Sequence, residues 1–215
     1  RTKLVNSART SVKAFGLRLP AGWSAGAFAC KAADELPEDL LMTLAPVLEA
    51  IQTLTDKIKS YDKSIERLAE SKYPETARLR QVKGVGPLTA LAFRLTIDDP
   101  SRFEKSRDVG PFLGLVPRRD QSGSMDKQLH ITKAGNRYLR RLLVGCAQYI
   151  LGPFGEDCDL RRHGETIAAR GGKNAKRRAV VAVARKLAVL LHRLWVSGEA
   201  YEPLRNHASR MAAVA

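Results

Sequence analysis

The chain has 215 residues, enough for one or two domains with buried cores, and its apolar fraction of 44% excludes wholesale disorder. Its formal net charge is +15, of which residues 1–75 carry +1 and residues 76–215 carry +14. A charge concentrated in one segment indicates a polyanionic partner. Nucleic acid is the commonest such partner, and a basic protein without one is the alternative.

Cysteine, histidine and apolar patterns exclude several classes of protein. Cys30, Cys146 and Cys158 are irregularly spaced, which favours a reducing compartment over a disulfide framework. The four histidines do not group with cysteines at zinc-ligand spacing, so no metal site is predicted. The longest apolar stretch, residues 179–195, is interrupted by basic side chains. We therefore expect a cytoplasmic protein without a membrane span.

The chain begins with a predicted basic amphipathic helix over residues 1–19. Its apolar side is expected to contain Leu4, Val5, Ala8, Val12 and Phe15. Neither an initiator Met nor a capping residue precedes this helix, which predicts that the chain is a fragment. The small residues at positions 21–31 are expected to form a connection.

The clearest periodicity in the sequence lies between residues 40 and 68. Spacings of four and three alternate there through Leu40, Leu44, Val47, Ile51, Leu54, Ile58, Tyr61, Ile65 and Leu68. Four such heptads predict a coiled-coil arm that forms a homodimer or higher homo-oligomer, and an ordinary buried helix is the alternative. Pro46 lies within the pattern, so the helix either kinks there or begins there.

A glycine-rich turn between two helices follows the arm. Helices are predicted over residues 78–82 and 88–97, with Lys83-Gly84-Val85-Gly86-Pro87 between them. This is the layout of a helix-hairpin-helix, in which Gly84 and Gly86 permit a tight turn and a close approach of backbone to phosphate. Lys83 adds positive charge to this turn. The alternative is an ordinary turn that connects two helices without binding phosphate.

A predicted polar loop over residues 114–124 contains Arg118, Arg119 and Ser122. The two arginines can clamp a phosphate whose charge grows in a transition state. The hydroxyl can act as a nucleophile if a base removes its proton. From the residues alone, Ser122 is more simply a turn residue.

A short strand and turn are compatible with residues 129–136, and a helix is predicted over residues 137–151. Lys133 in the turn, and Arg137 and Arg140 in the first turn of the helix, are candidate phosphate ligands.

The last predicted helix spans residues 175–195 and begins with Lys176, Arg177 and Arg178. Cations at a helix N-terminus oppose the helix dipole, so a nucleic-acid phosphate is the expected compensating anion. A core helix with a solvated basic start is the alternative. The tail after Tyr201 is expected to fray.

Two runs of sequence carry a family resemblance. Gly114-Leu-Val-Pro-Arg-Arg-Asp-Gln-Ser-Gly and His130-Ile-Thr-Lys-Ala-Gly-Asn-Arg-Tyr-Leu-Arg-Arg resemble the C-terminal transposase domain of bacterial insertion elements. The transposases in question join an N-terminal RuvC-like carboxylate domain to a C-terminal serine domain, and are known as bridge-RNA-guided recombinases. The arm, the hairpin at residues 82–87 and the closing basic helix fit this family in the same order.

The resemblance implies three parts. Residues 1–20 correspond to the final helix of a truncated RuvC-like domain, residues 21–75 to a linker and coiled-coil arm, and residues 76–215 to the C-terminal transposase domain. The expected fold is mainly α, with the arm followed by a helical domain that contains a helix-hairpin-helix. The β-structure considered for this fold is a small β-hairpin.

The resemblance also implies the chemistry. Ser122 corresponds to the nucleophile that attacks a DNA phosphodiester and forms a phosphoserine link, with Ser124 as its nearest competitor. Mg²⁺ is expected through acidic residues of the RuvC-like domain, upstream of Arg1, and no cofactor is expected in this chain. Asp98-Asp99 is more simply a cap or turn. The implied partners are DNA and a structured guide RNA, in association with the bacterial nucleoid.

Three functions follow for comparison. The first is a serine-using DNA transposase or recombinase, of which this chain has the serine half and is inactive without the metal-binding domain. The alternative is a non-catalytic helix-hairpin-helix module that binds DNA or RNA. A coiled-coil scaffold with incidental charge is the third. A covalent protein–DNA adduct that depends on Ser122 would distinguish the first from the second.

Overall fold

The computed structural model describes residues 1–206, with the backbone alone for residues 126–128. The chain forms two compact units, Arg1–Ser64 and a second unit that begins at Ile65. The boundary between them falls within a long helix, and the domain limits expected at residues 20 and 75 stay predictions. The expected fraying after Tyr201 concerns mainly residues beyond 206, which lie outside the described residues.

Three helices form the first unit: α1 (Thr2–Ala14), α2 (Phe28–Glu35) and the N-terminal part of α3 (Glu38–Lys72). One apolar face of each contributes to a common core of Val5, Ala8, Val12, Phe28, Ala29, Ala32, Leu36, Leu44, Leu48 and Ile51. This packing follows from residues that recur at helical spacing, so that each helix has one face to bury.

Two predictions for this region need correction. Helix α1 ends at Ala14, before Leu19, and Phe15 is 66% exposed, so Phe15 does not belong to the buried side. Helix α2 begins within the expected connection, because Phe28 and Ala32 are one helical turn apart and both are fully buried.

Helix α3 runs through Pro46, so it does not begin there. We call the apolar heptad positions between residues 40 and 68 the seam. The burial of these side chains changes along the helix. Ile51 is fully buried in the core of the first unit, whereas Leu54 and Ile58 are each 38% exposed and Tyr61 is 67% exposed. The first part of the seam is thus a buried face of an ordinary helix, and the second part remains exposed to solvent.

Helix α9 (Ala175–Ser197) is the centre of the second unit. Its fully buried residues include Val183, Leu187, Leu191 and Leu194, which recur at helical spacing. The helices packed against it are α4 (Thr76–Leu79), α6 (Val109–Phe112), α7 (Arg137–Leu151) and α8 (Asp159–Ala169). Helix α5 (Pro87–Ile97) packs against α4 and α7. Helix α7 has the predicted bounds, and α8 was not predicted.

A two-stranded antiparallel sheet lies between α6 and α7, formed by β1 (Pro117–Ser122) and β2 (Met125–Ile131). The prediction of a polar loop at residues 114–124 is therefore wrong for Pro117–Ser122, which form β1. The expectation of a mainly α fold with a small β-hairpin is confirmed. No helix within residues 1–206 is both long and apolar enough to cross a membrane.

Candidate nucleic-acid interface

Ser122 lies at the tip of the β-hairpin, where β1 ends. It pairs with Met125 across a two-residue turn whose first residue, Gly123, has a φ of +55°. Glycine adopts this left-handed conformation without steric cost. Both Ser122 and Ser124 are exposed. No hydrogen bond is found from another described side chain to the Ser122 hydroxyl, apart from residues 126–128, whose side chains are not described.

The strand places Arg118 and Arg119 on opposite faces, since successive side chains of a strand alternate. Both arginines are exposed. The pairing irregularity lies beside Arg118, where two residues of β2 stand opposite one residue of β1. Arg118 and Ser122 share a face and are roughly 13 Å apart along the strand, given about 3.3 Å per residue. A joint clamp of both arginines on one phosphate beside Ser122 does not fit this alternation.

The base of the hairpin is held by a close backbone contact between two turns. Gly114 and Gly135 have φ values of +66° and +71°. A Cβ atom on Gly114 would collide with the backbone of Ala134, and one on Gly135 would collide with the carbonyl oxygen of Phe112. Both positions therefore require glycine for two independent reasons, the left-handed φ and the lack of space.

Arg140 joins the two sides of this contact. Its Nη1 donates to the carbonyl oxygen of Leu113 at 3.0 Å and to that of Ala134 at 2.7 Å. The sequence predicts Arg140 as a phosphate ligand, and the structure places its guanidinium on the backbone of the chain itself. We refer to Gly114, Ala134, Gly135 and Arg140 as the hairpin base.

The start of α7 follows directly from the hairpin base. The Oδ1 atom of Asn136 accepts a hydrogen bond from the backbone N–H of Leu139 at 2.9 Å and so caps the helix. Lys133, with a φ of +58°, and Arg137 are both exposed beside this cap. These two predicted phosphate ligands therefore face solvent close to the hairpin base.

The two glycines of the predicted helix-hairpin-helix have different surroundings. Gly84 has a φ of +94°, and a Cβ there would lie 2.8 Å from Cδ1 of Tyr149. Gly86 has a φ of −84°, and a Cβ there would meet no atom within 4 Å. Pro87 is the first residue of α5, and no side chain caps that helix. Gly84 is thus explained by packing inside the chain, whereas Gly86 leaves open space before α5.

Lys83 precedes this turn and is exposed. Its Nζ lies 3.5 Å from Oε1 of Glu156, and the two side chains are 68% and 67% exposed. Water and salt screen such a pair, so Lys83 can exchange Glu156 for another anion at small cost.

The basic start of α9 is also exposed. Lys176, Arg177 and Arg178 lie in its first turn, and Asn174 provides no side-chain cap. The Nη2 atom of Arg178 donates to the carbonyl oxygen of Gly171 at 3.2 Å. The cations that oppose the helix dipole are therefore in the position expected from the sequence.

Some basic residues outside the predicted set serve the fold. The Nη1 atom of Arg161 donates to three backbone carbonyls, those of Ile150, Gly152 and Gly155, at 2.8–3.0 Å. Another residue missed from the sequence is Tyr149, whose ring fixes the space at Gly84. Neither role has a local sequence signal, since the partners come from other segments of the chain.

The acidic residues near α5 are caps. Asp98 is the C-cap of α5, and Oδ1 of Asp99 accepts a hydrogen bond from the backbone N–H of Ser101 at 2.8 Å. Hydrogen bonds from Ser101 also lower the pKa of Asp99. Over residues 1–206, apart from the side chains of 126–128, no three His, Cys, Asp or Glu side chains are grouped as metal ligands.

Comparison with known proteins finds a similarity to insertion-element transposases. Residues 76–155, from α4 to the turn after α7, match the transposase IS116/IS110/IS902 family. This segment contains Gly84, Gly86, the hairpin base and Ser122. Residues 76–155 are therefore similar to that transposase family.

Several curated transposases resemble the chain over longer stretches. It is 31% identical over 213 residues to the transposase for insertion sequence element IS1111A of Coxiella burnetii, covering 94% of this chain and 56% of that protein. It is 31% identical over 152 residues to the transposase for IS1328 of Yersinia enterocolitica, covering 69% and 45%. A probable family 20 transposase of Pseudomonas aeruginosa is 30% identical over 166 residues, covering 74% and 48%. The chain spans about half the length of these relatives.

Proposed function

We propose that this chain is the serine-bearing C-terminal part of an insertion-element DNA transposase, with Ser122 as the nucleophile. One observation carries the proposal: within the segment that matches the transposase family, Ser122 is exposed at the tip of a hairpin whose base is held by close glycine contacts. Exposure leaves room for a DNA strand. The locked base fixes the position of the tip, and precise positioning of a nucleophile supplies much of the rate in such reactions.

The proposed step transfers a phosphoryl group to serine. Oγ of Ser122 bonds to phosphorus, the bond from phosphorus to one deoxyribose oxygen breaks, and a DNA hydroxyl leaves. The hydroxyl proton of Ser122 passes to a base, and the departing oxygen takes up a proton. A later attack by the hydroxyl of another strand would reverse the process and release the serine.

In this proposal, Mg²⁺ is bound by residues other than those that the structure describes. Asp98 and Asp99 serve as caps, and the described carboxylates do not gather into a ligand set. The residues described here therefore do not fit a Mg²⁺ site, and none of the steps above is assigned to one. We propose that a RuvC-like carboxylate domain provides the metal and the base, so that this chain alone binds DNA without recombining it.

DNA backbone contacts are proposed at two places. The first is the open space at Gly86 before the uncapped N-terminus of α5, with Lys83 beside it. The second is the basic start of α9, at Lys176, Arg177 and Arg178. A helix N-terminus offers free N–H groups and a positive dipole end to phosphate, and added cations strengthen that field.

Two partners complete the proposal. Self-association through residues 40–68 is supported by Leu54, Ile58 and Tyr61, which continue the predicted seam and are exposed. A structured guide RNA is supported by the family resemblance and by the excess positive charge of residues 76–215. Association with the nucleoid would follow from DNA binding.

A second candidate function rests on the Gly86 turn alone. A non-catalytic helix-hairpin-helix module would use the same open turn to bind DNA or RNA and would need no serine chemistry. This candidate and the transposase make the same prediction for binding and opposite predictions for covalent attachment.

The experiment expresses the chain together with the polypeptide encoded directly upstream of Arg1 and incubates it with Mg²⁺, guide RNA and labelled DNA. The transposase predicts a protein–DNA adduct that survives denaturation. Ser122→Ala should abolish the adduct and recombination, and Ser124→Ala should keep both. DNA binding without any adduct would favour the second candidate, and an adduct that persists in Ser122→Ala would contradict the assignment of Ser122 as the nucleophile.

A further inference from the structure

We propose that Met125 and Leu129 hold an unstacked base of the DNA strand at Ser122, next to the phosphate that is attacked. The proposal rests on the proposed function, because it concerns the nucleotide that the nucleophile meets. In β1, Arg118, Asp120 and Ser122 lie on one face, since successive side chains of a strand alternate. We call this face, together with Met125 and Leu129 of β2, the serine face.

The register of the hairpin places Met125 directly beside Ser122. The two residues are paired across the turn, so their side chains lie on the same face with Cβ atoms about 4.5–5.5 Å apart. Pairing is regular from Met125 to Gln128, and Leu129 is the next residue along β2. Leu129 is therefore an even number of residues from Met125, which keeps it on the same face about 13 Å further along the strand.

Both of these β2 side chains are apolar and uncovered. Met125 is 54% exposed and Leu129 is 46% exposed. Within the described residues neither packs against a core, whereas Ile131, further along β2, packs against the core of the second unit. Two apolar side chains in water on one face of a small sheet favour a partner that covers them. The serine face thus combines the proposed nucleophile with an apolar surface.

The position of Ser122 decides which partner fits this surface. A protein, such as a second copy of the chain, could cover exposed apolar side chains. A protein that covered Met125 would also cover Ser122, because the two side chains are neighbours, and a DNA phosphate could then not reach the hydroxyl. The attacked DNA strand can occupy both positions at once. Its phosphate meets Ser122, so the part of the nucleotide that meets Met125 must be apolar.

The apolar part of a nucleotide is chiefly its base. In a duplex the flat faces of the bases are stacked on one another, so they become accessible when a base step opens. Proteins open such steps with apolar wedges, methionine and leucine among them. The carboxylate of Asp120, two residues from Ser122 on the same face, disfavours a path of the phosphates along β1. The strand therefore crosses the hairpin, with its phosphate at Ser122 and its base over Met125 and Leu129.

The test combines the chain with the upstream polypeptide, Mg²⁺, guide RNA and DNA that carries 2-aminopurine beside the attacked phosphodiester. That phosphodiester is first mapped from the wild-type adduct. Stacking quenches the fluorescence of 2-aminopurine, and Ser122→Ala keeps the DNA uncut during the measurement. Binding by Ser122→Ala should raise the fluorescence several-fold. Adding Met125→Ser should abolish the rise, and adding Leu129→Ser should reduce it.

The rate of adduct formation provides a second readout. Met125→Ser should lower this rate by about 10-fold or more, because the base step must then open without a wedge. An abasic nucleotide needs no unstacking, so placing it beside the attacked phosphodiester should restore most of the rate. Met125→Leu remains apolar and should keep the wild-type rate. The matched control is Leu95→Ser, which removes a 53% exposed apolar side chain from α5 and should change neither readout.

Three results would overturn the inference and leave the proposed function intact, provided that the wild-type chain forms the Ser122 adduct. These are unchanged 2-aminopurine fluorescence, a wild-type rate in Met125→Ser, and a loss of rate that the abasic nucleotide does not restore. A change of sedimentation in Met125→Ser with unchanged fluorescence would assign the surface to a protein partner. If the wild-type chain forms no adduct, or one that does not depend on Ser122, both the inference and the proposed function are overturned.

Discussion

The base and the tip of the β-hairpin both contain left-handed glycines, in different surroundings. Gly114 and Gly135 at the base press against the backbone of a neighbouring turn, whereas a Cβ on Gly123 at the tip would meet no atom within 4 Å. The base glycines are therefore explained by folding, and the tip glycine by the turn that presents Ser122. A motif that resembles a family thus mixes residues that hold the fold with a residue that we propose to react, and their contacts distinguish them.

The largest effect on stability is expected from a substitution in the hairpin base. Gly135→Ala places a Cβ against the carbonyl oxygen of Phe112 at a left-handed φ. We expect the free energy of unfolding to fall by about 4 kcal/mol or more, or folding to fail. Gly123→Ala at the tip is the matched control, and should cost about 1 kcal/mol for its left-handed φ alone. Urea denaturation of both variants checks the contrast, and equal losses would contradict it.

The same contrast between covered and uncovered positions exists along α3. Ile51 is fully buried and Ile58 is 38% exposed. Ile51→Ala should therefore cost about 2–5 kcal/mol, and Ile58→Ala much less in the monomer. If residues 40–68 mediate self-association, Ile58→Glu should shift sedimentation toward the monomer without loss of helicity. A dimer unaffected by Ile58→Glu would place the interface elsewhere.

Arg140→Met tests whether the Arg140 side chain holds the hairpin base in place. It removes the hydrogen bonds to the carbonyls of Leu113 and Ala134 and keeps much of the apolar stem. We expect a loss of about 1–3 kcal/mol, together with faster hydrogen exchange in β1. Arg137→Met, at an exposed position of the same helix, should change stability by no more than about 0.5 kcal/mol. If β1 amides exchange at the wild-type rate in Arg140→Met, Arg140 does not hold the hairpin.

The two glycines of the predicted helix-hairpin-helix turn are expected to differ in their effects on stability and on DNA binding. Gly84→Ala meets the Tyr149 ring at a φ of +94° and should cost about 1–3 kcal/mol. Gly86→Ala has space and an ordinary φ, so stability should change by no more than about 0.5 kcal/mol. If phosphate approaches this backbone, Gly86→Ala should weaken DNA binding several-fold in a salt titration. Wild-type affinity of Gly86→Ala would exclude the contact.

The smallest expected effect is a pH dependence through His163. Burial, followed by the charges of Lys186 and Arg170, lowers the pKa of His163 below its ordinary value of 6.5. As the pH falls, the unfolded chain therefore takes up this proton before the folded chain does. Stability from this group is complete above about pH 6.5 and is lost as the pH falls from there through the folded pKa. His163→Gln should remove this part of the decline in acid denaturation curves.

The sequence predicted the parts of the fold that have local signals. Helices α7 and α5 were predicted over residues 137–151 and 88–97, and the structure has them at Arg137–Leu151 and Pro87–Ile97. Strand β1 was missed because a strand exposed on both faces has no apolar alternation. Helix α8 was missed because it buries little of itself, chiefly Leu160 and Gly164.

The candidate site was predictable to a lesser extent. Ser122, Gly86 and the basic start of α9 came from motif, turn and charge. The positions of Gly135 against Phe112 and of Arg140 on two carbonyls could not be predicted, because each joins segments separated along the chain. Such contacts decide whether a charged residue builds the fold or meets a ligand.

The most direct test is to locate the covalently attached nucleotide on the protein. After reaction in the presence of the upstream polypeptide, trypsin should release the peptide Asp120–Lys127, which contains both Ser122 and Ser124. Tandem mass spectrometry of this peptide should place a deoxynucleotide phosphate on Ser122. A nucleotide on Ser124, on any other peptide, or on none would contradict the assignment of Ser122 as the nucleophile.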